Sequence, residues 1–269
     1  MWTRSTHRRT RNSTLHTPPP VLLFAMATLI LNGACQGGPI FVDSFEGPGL
    51  DPFWTIEATN GTITVPSAAA AHSGANSAEF NSTAGVRNIF LRHEFATPVY
   101  GTASVWAFDT GADLSSSNYL IMQLFNLGAN QLSSVITFDY DLGPPDASSF
   151  YYFQTWDGGG GATAIDRTQA WHQWEITSIP TSYEIRVDGS LVYSDVSGLP
   201  FDLIRIGMVA PAFRPNWTGY FDDFQFEEFQ AAAVPEPSSA ILALIALGVL
   251  GFRRKGREWL RSVCRTGKA

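Results

Sequence analysis

Two aspartates stand where a plain scaffold has no use for them. In Phe41-Val42-Asp43-Ser44-Phe45 the acid shares a strand face with two phenylalanines, and further on Asp222 alternates with Tyr220, Phe224 and Phe226. If those faces turn to a core, Asp43 and Asp222 are carried inward unless a bulge intervenes, and a buried carboxylate needs a cation or several donors. One expectation is a structural calcium ion joining the first and last strands, with oxygen ligands from Glu46 or Asp43, from Asp222 or Asp223, and from carbonyls of the turn His72-Ser73-Gly74. The alternative is that these acids cap backbone donors, pair with an arginine, or sit at a solvated rim. Other chemistry is sparse. No Gly-x-Ser-x-Gly elbow and no His-Glu-x-x-His zinc helix occurs. His72, His93 and His172 are isolated, which favours structural roles. Trp106, Tyr151, Tyr152, Trp156 and Trp217 are candidate platforms for sugar rings, although aromatics of this kind more often fill a core.

The elements that would position these residues are strands. Ile89, Leu91 and His93 alternate with Phe90, Arg92 and Glu94; Ser104, Trp106 and Phe108 share one face, and Tyr183, Ile185 and Val187 another. The runs are rich in Val, Ile, Thr and aromatics and are bounded by Gly, Pro, Asn, Asp and Ser. They predict strands near 41–45, 62–65, 77–81, 88–95, 103–109, 118–126, 132–140, 150–156, 171–177, 182–187, 191–194, 203–209 and 219–228. Asp188-Gly189 predicts a tight hairpin, and Gly158 to Gly161 a flexible loop. Nothing between 40 and 230 carries a long helical pattern. The expected fold is all-β, an antiparallel jelly-roll β-sandwich over residues 37–230.

Several short landmarks in this body agree: Asp43-Ser44-Phe45-Glu46-Gly47, Trp54, His72-Ser73-Gly74, Trp171-His172-Gln173-Trp174, Val187-Asp188-Gly189 and Tyr220-Phe221-Asp222-Asp223-Phe224. Their order resembles that of concanavalin A-like (laminin G-like) sandwiches, and the opening Phe-Glu, the His-Ser-Gly turn and the closing Asp-Asp also resemble galactose-binding-like carbohydrate modules. The resemblance implies a sandwich and, in the sugar-binding modules, a structural calcium at this junction. Glucanases on the concanavalin-like fold alternate two carboxylates along one strand, as in Glu-x-Asp-x-x-Glu, so that acid and nucleophile face each other across the sugar. No such run is present.

Both ends of the chain are addresses. Arg4, Arg8, Arg9 and Arg11 precede Pro18-Pro19-Pro20 and the apolar run Val21 to Leu31, the layout of a signal peptide over residues 1–36. At the other end, the linker 231–237 closes with Val234-Pro235-Glu236-Pro237. The two prolines hold this strip extended and keep it out of the following helix. An uncharged run from Ser238 to Phe252 and the basic stop Arg253-Arg254-Lys255 complete a segment, 238–255, that is short for a full span of ~20 residues; a basic tail, 256–269, follows. This tripartite run resembles the PEP-CTERM sorting signal of exported bacterial proteins, which implies an exosortase-type processing peptidase as partner and transient attachment to the membrane.

Charge supports that topology. Residues 36–234 hold six arginines, no lysine and 22 acids, while the remaining basic residues flank the two apolar segments. An acidic exported body disfavours nucleic acid and anionic headgroups. Cys35 and Cys264 lie outside the body, so no disulfide staples it. The expected protein is non-enzymatic and located in the cell envelope or extracellular matrix. Extracellular polysaccharide is the leading ligand, an adhesive or structural role without sugar is the second reading, and a glycan-active enzyme the third.

Overall fold

The computed structural model describes residues 41–110, 119–137, 150–210 and 216–230, all within one compact unit, Gln36–Ala231. The signal segment, the Pro-Glu-Pro element, the hydrophobic segment and the basic tail lie outside the described residues. Fifteen strands follow in chain order: β1 (Phe41–Asp43), β2 (Thr55–Thr59), β3 (Gly61–Ser67), β4 (Ser77–Ser82), β5 (Arg87–Val99), β6 (Gly101–Asp109), β7 (Tyr119–Asn126) and β8 (Gln131–Ile136). After them come β9 (Phe150–Gln154), β10 (Gly160–Asp166), β11 (Trp171–Ile179), β12 (Ser182–Val187), β13 (Ser190–Asp195), β14 (Phe201–Ala210) and β15 (Thr218–Glu228). Among the described residues there is no helix, so none there is long and apolar enough to cross a membrane.

The strands form two antiparallel sheets. The first runs β13-β12-β11-β6-β15-β4-β3 with β1 paired to β15, and the second runs β10-β9-β8-β7-β14-β5-β2. Period-two alternation explains why the sheets face each other. In β6 and β11 every second residue is buried, and Ala103, Val105, Trp174 and Ile176 meet Ile89, Leu91, Leu120, Met122, Leu124, Ile204 and Ile206 of the second sheet in one core. On the opposite face of the second sheet, Phe90, Ile121, Ile136 and Tyr152 form a smaller apolar cluster. Gly207 of β14 is fixed by close approach, because a Cβ there would lie 2.0 Å from the Ile89 carbonyl oxygen.

The jelly-roll sandwich and the Asp188-Gly189 hairpin match expectation; both turn residues have positive φ, 50° and 71°, as a two-residue turn matched to the strand twist requires. Two strands escaped the periodicity. The mostly exposed edge strand β2 is held by backbone pairing to β5 and needs no buried stripe. The run Gly158 to Gly161, expected as a loop, is one only in part. Its turn closes between Thr155 and Gly159, and Gly160 and Gly161 open the edge strand β10 against Gln154 and Phe153.

The last strand corrects a second expectation. Its pairing to β6 shifts register between Asp222 and Gln225, and Asp223 adopts a left-handed φ of 47°. This bulge places Phe221, Phe224 and Phe226 on the core side. Asp222 therefore does not share a face with Phe224 and Phe226. It lies opposite Trp106 on the outward face, with Tyr220 one alternation away opposite Phe108. Asp43 does follow its alternation, opposite Phe224 and hydrogen-bonded to the buried Trp54.

A candidate ligand face on the first sheet

The turn between β3 and β4 is held by three carboxylates. The Asp222 Oδ2 atom accepts the backbone N–H groups of His72 (2.8 Å) and Ser73 (3.1 Å), and Oδ1 accepts that of Asp223 (2.8 Å). Asp223 takes the His72 Nδ1 (2.7 Å) and the Ser73 hydroxyl (2.8 Å). Glu46 Oε1 accepts the N–H groups of Ala75 (2.7 Å) and Asn76 (2.8 Å), and Oε2 the Asn76 amide (2.9 Å). Asp43 lies apart from the turn and accepts the Phe45 N–H (2.8 Å) and the Trp54 indole N–H (2.9 Å). Thus Glu46, His72, Asp222 and Asp223 meet at the turn through its N–H groups and hydroxyl, whereas the sequence expectation places the turn's carbonyls there and Asp43 beside them.

This donor set does not fit calcium as it stands. A calcium ion wants oxygens aimed at one point, whereas these carboxylates are engaged by N–H and O–H donors, the surroundings of an anion. Among the described residues no group of three or more His, Cys, Asp or Glu could hold a metal ion. The electrostatics differ from acid to acid. Burial pushes Asp222 above the usual carboxylate range, against the lowering effect of the Ser73, His72 and Asp223 N–H groups. Burial raises Asp43 likewise, against the N–H groups of Phe45 and Trp54. Exposed Glu46 is lowered by the Asn76 and Ala75 N–H groups.

The clamped turn lays the His72 ring on Trp106, with centroids 3.8 Å apart and planes 13° from parallel. Beside it Trp171, Phe108 and Tyr220 occupy equivalent positions on the adjacent strands β11, β6 and β15. Their centroids are spaced 5.4 and 6.1 Å, giving a transverse row of three half-buried rings. Polar side chains share this face. Gln173 lies opposite Trp106, Gln225 opposite Ser104, and Glu79 opposite Tyr220. Of the aromatics singled out in sequence, Trp106 lies here, while Tyr151, Tyr152 and Trp156 are buried and Trp217 packs against the core. Trp171 and Tyr220 are not legible in the sequence as a ligand surface, because register across three strands, invisible along any one of them, brings them beside Phe108.

The Trp171-His172 and Val187-Asp188-Gly189 landmarks meet at the hairpin. His172 Nδ1 lies 2.7 Å from Asp188 Oδ2 and its Nε2 2.8 Å from the Thr168 hydroxyl. The order hydroxyl, imidazole, carboxylate has the outline of a nucleophile relay. Here it pins the hairpin: the second Asp188 oxygen accepts the Gln173 N–H (2.9 Å), and the Asp188 N–H donates to the Gln173 carbonyl. The third histidine, His93, stacks on Phe53 and bonds its carbonyl oxygen. Arg167 donates to Asp109 with both side chains almost fully buried, tying the β10–β11 connection to β6.

The opposite face of the molecule bears on cleavage. The outward residues of β7 are Tyr119, Ile121, Gln123 and Phe125; β14 presents Arg205, Gly207 and Val209 and β8 Ser134 and Ile136 beside them. None of these is acidic. Arg205 donates to Gln123 (2.5 Å) and its guanidinium lies 4.4 Å from the Phe90 ring. Glu57 and Glu94 lie toward the sheet edge and both pair with Arg92.

Comparison with known proteins agrees with this architecture. Residues 233–257 match the PEP-CTERM protein-sorting motif. The motif implies processing by an exosortase, a membrane protease, and makes the chain an exported, envelope-sorted protein. No curated protein matches the chain. Among solved structures, "Cellulose induced protein, Cip1" is 17% identical with a TM-score of 0.52, over 71% of this chain and 98% of that one. The apo Crh5 transglycosylase is 14% identical with a TM-score of 0.53, over 72% and 86%. The laminarinase catalytic domain from Thermotoga maritima MSB8 is 11% identical with a TM-score of 0.51, over 73% and 100%. At such identities the likeness shows the fold, a concanavalin-like, glucanase-type sandwich.

Proposed function

We propose that this chain is an exported, non-enzymatic β-sandwich that binds polysaccharide through the outward aromatic face of its first sheet. The observation that carries the reading is the row Trp171, Phe108 and Tyr220, with Trp106 beside it under His72. The ring planes are inclined by 50° and 63° to one another, so the row offers successive sugar rings a ridged apolar surface of faces and edges, while the amides and hydroxyls beside it are left to the sugar hydroxyls. Binding without cleavage is supported by the central strands of the second sheet. Glycoside hydrolysis needs two carboxyl groups facing each other roughly 5 to 9.5 Å apart, and the outward residues named above on β7, β8 and β14 supply none. Residues 37–230 form the exported body on this reading, and Val234-Pro235-Glu236-Pro237 is the element at which the sorting signal is processed.

Electrophoresis through gels cast with soluble polysaccharides tests the proposal. Retardation in at least one glycan, lost in Trp171→Ala and Tyr220→Ala, is the expected result, with no new reducing ends. Release of reducing ends would make the protein an enzyme. Unchanged mobility in every glycan would leave a structural or adhesive protein without a sugar ligand.

A further inference from the structure

The sign of the charge around the aromatic row narrows the ligand. Six acids lie on or beside the outward face of the first sheet: Glu79 stands in the aromatic row opposite Tyr220, fully buried Asp222 and its neighbour Asp223 lie one alternation along the strands, Glu175 opposite Ser104 lies two, about 13 Å away, and Glu184 and Glu227, level with Thr177 and Thr102, lie three. Arg186 is the arginine that meets them among the described residues, and it is already committed, to Glu184 at 2.7 Å and to Glu175 at 3.8 Å. His72 is engaged by Asp223. Burial holds Glu175 above the usual carboxylate range; Arg186 pulls it down, and Glu184 and Glu227 each add a smaller upward push. Beside the row, Tyr220 is opposite Glu79 in the β15–β4 pairing.

Resting on the reading that this face binds polysaccharide, we propose that its ligand is an amino-sugar polysaccharide with free, protonated amines. Its ring faces stack on Trp171, Phe108 and Tyr220, and its ammonium groups meet the aromatic π faces and the Glu79 carboxylate, which shares the row and accepts hydrogen bonds from Ser67 and Asn81, within the wider acidic field of the sheet. Aromatic faces attract cations through their quadrupole as well as apolar C–H surfaces through contact, so one surface serves both halves of such a chain. Polyuronates, sulfated glycans and nucleic acids carry the wrong sign for this field. A neutral glycan stacks equally well on the rings and meets the acids through hydroxyl hydrogen bonds alone, without the attraction between opposite charges.

The test uses the detergent-purified full chain in affinity electrophoresis against four polymers: polyglucosamine, the same backbone N-acetylated, a soluble cellulose ether and a polyuronate. Polyglucosamine should bind at least about tenfold tighter than its N-acetylated form. The preference should shrink as ionic strength rises from about 0.01 to about 0.15 M, which shortens the screening length from roughly 30 to roughly 8 Å. Trp171→Ala and Tyr220→Ala, which leave the charge unchanged, should each weaken polyglucosamine binding about fivefold, the scale of one cation–π contact. Glu79→Gln should weaken it while retaining the neutral shape. Circular dichroism identical to wild type qualifies each variant, and Trp171→Phe, which keeps a ring, should restore most of the binding.

Equal binding of the N-acetylated and free-amine polymers, indifferent to salt, would overturn the amine inference and leave polysaccharide binding standing. Preference for the polyuronate would overturn it too. Polyglucosamine binding unaffected by either aromatic variant would mean diffuse adsorption to an acidic body, and the site would fall. Self-association abolished by Trp171→Ala would assign the face to a second copy of the chain. Failure of all four polymers to bind would remove both the inference and the reading beneath it.

Discussion

Asp222→Ala should loosen the turn that covers Trp106 and lower the stability of the body by about 2–3 kcal/mol. Asp222 is fully buried, and its two oxygens accept three backbone N–H groups. An N–H left unsatisfied in a buried setting costs about 1–3 kcal/mol, whereas one that water can reach loses only the net worth of its bond, about 0.5–1.5 kcal/mol. His72 and Ser73 are exposed residues, so their N–H groups fall in the second class, and that of half-buried Asp223 is nearer the first. The gross loss is therefore roughly 2–6 kcal/mol, and it is reduced because the variant no longer buries a charge. For a body of this size each kcal/mol moves the melting temperature by about 2–4 °C, so thermal unfolding followed by far-ultraviolet circular dichroism should show a fall of about 4–12 °C. Release of the His72 ring should also shift tryptophan fluorescence as Trp106 meets water. Asp222→Asn should cost less, since its amide oxygen still accepts the His72 and Ser73 pair while its NH2 faces the Asp223 N–H. Because burial raises the Asp222 pKa, the stability contributed by this group is fully present below the unfolded value of 3.8 and is lost as pH rises through the folded value. The downward slope of stability with pH across that window should be shallower in Asp222→Asn. An Asp222→Ala melting temperature within about 2 °C of wild type, less than about 1 kcal/mol at this size, would refute the clamp.

Gly207→Ala should lose about 3 kcal/mol or more in urea unfolding, since its Cβ would lie 2.0 Å from the Ile89 carbonyl oxygen in the middle of a sheet with no room to shift. Asp109→Ala should cost about 3–5 kcal/mol in the same assay by removing the carboxylate from buried Arg167, and Asp109→Asn less. Melting temperatures measured with calcium and with a chelator should agree, because N–H donors already hold the junction carboxylates; a rise that scales with calcium concentration would show that the acids give up those donors for an ion. Replacing Pro235, Glu236 and Pro237 by Ala should stop processing in a host with the matching sorting peptidase, read from the mass of the mature protein.

What could be read in the sequence was what period and punctuation encode. Strands buried on one side, such as β6 and β11, alternate without a fault, and their bounds are legible to within two residues. The hairpin was legible because Asp188-Gly189 is the chemistry a turn with two positive φ angles requires. The edge strands β2 and β10 were not, because an edge is held by backbone pairing on one side and its side chains face water, which leaves no stripe to detect. Cross-strand register was hidden as well. Trp171, Phe108 and Tyr220 are separated by 63 and 112 positions in the chain, and only the order β11-β6-β15 makes them neighbours.

The bulge at Asp222 and Asp223 joins these two kinds of information. Strict alternation would carry Asp222 inward with Phe224 and Phe226 and would leave Phe221 outside. One extra residue reverses that parity, so three phenylalanines reach the core and a carboxylate is delivered to the outward face beside Trp106. The same extra residue, Asp223, turns its own carboxylate onto His72 and Ser73. A sequence reader can see that an acid among aromatics must be paired or turned out, and here it is both: turned out by the bulge and covered by the turn whose N–H groups it accepts. The strand that closes the sandwich thereby also builds the edge of the aromatic face, so a substitution that regularised it would have to disturb the core and the ligand surface together.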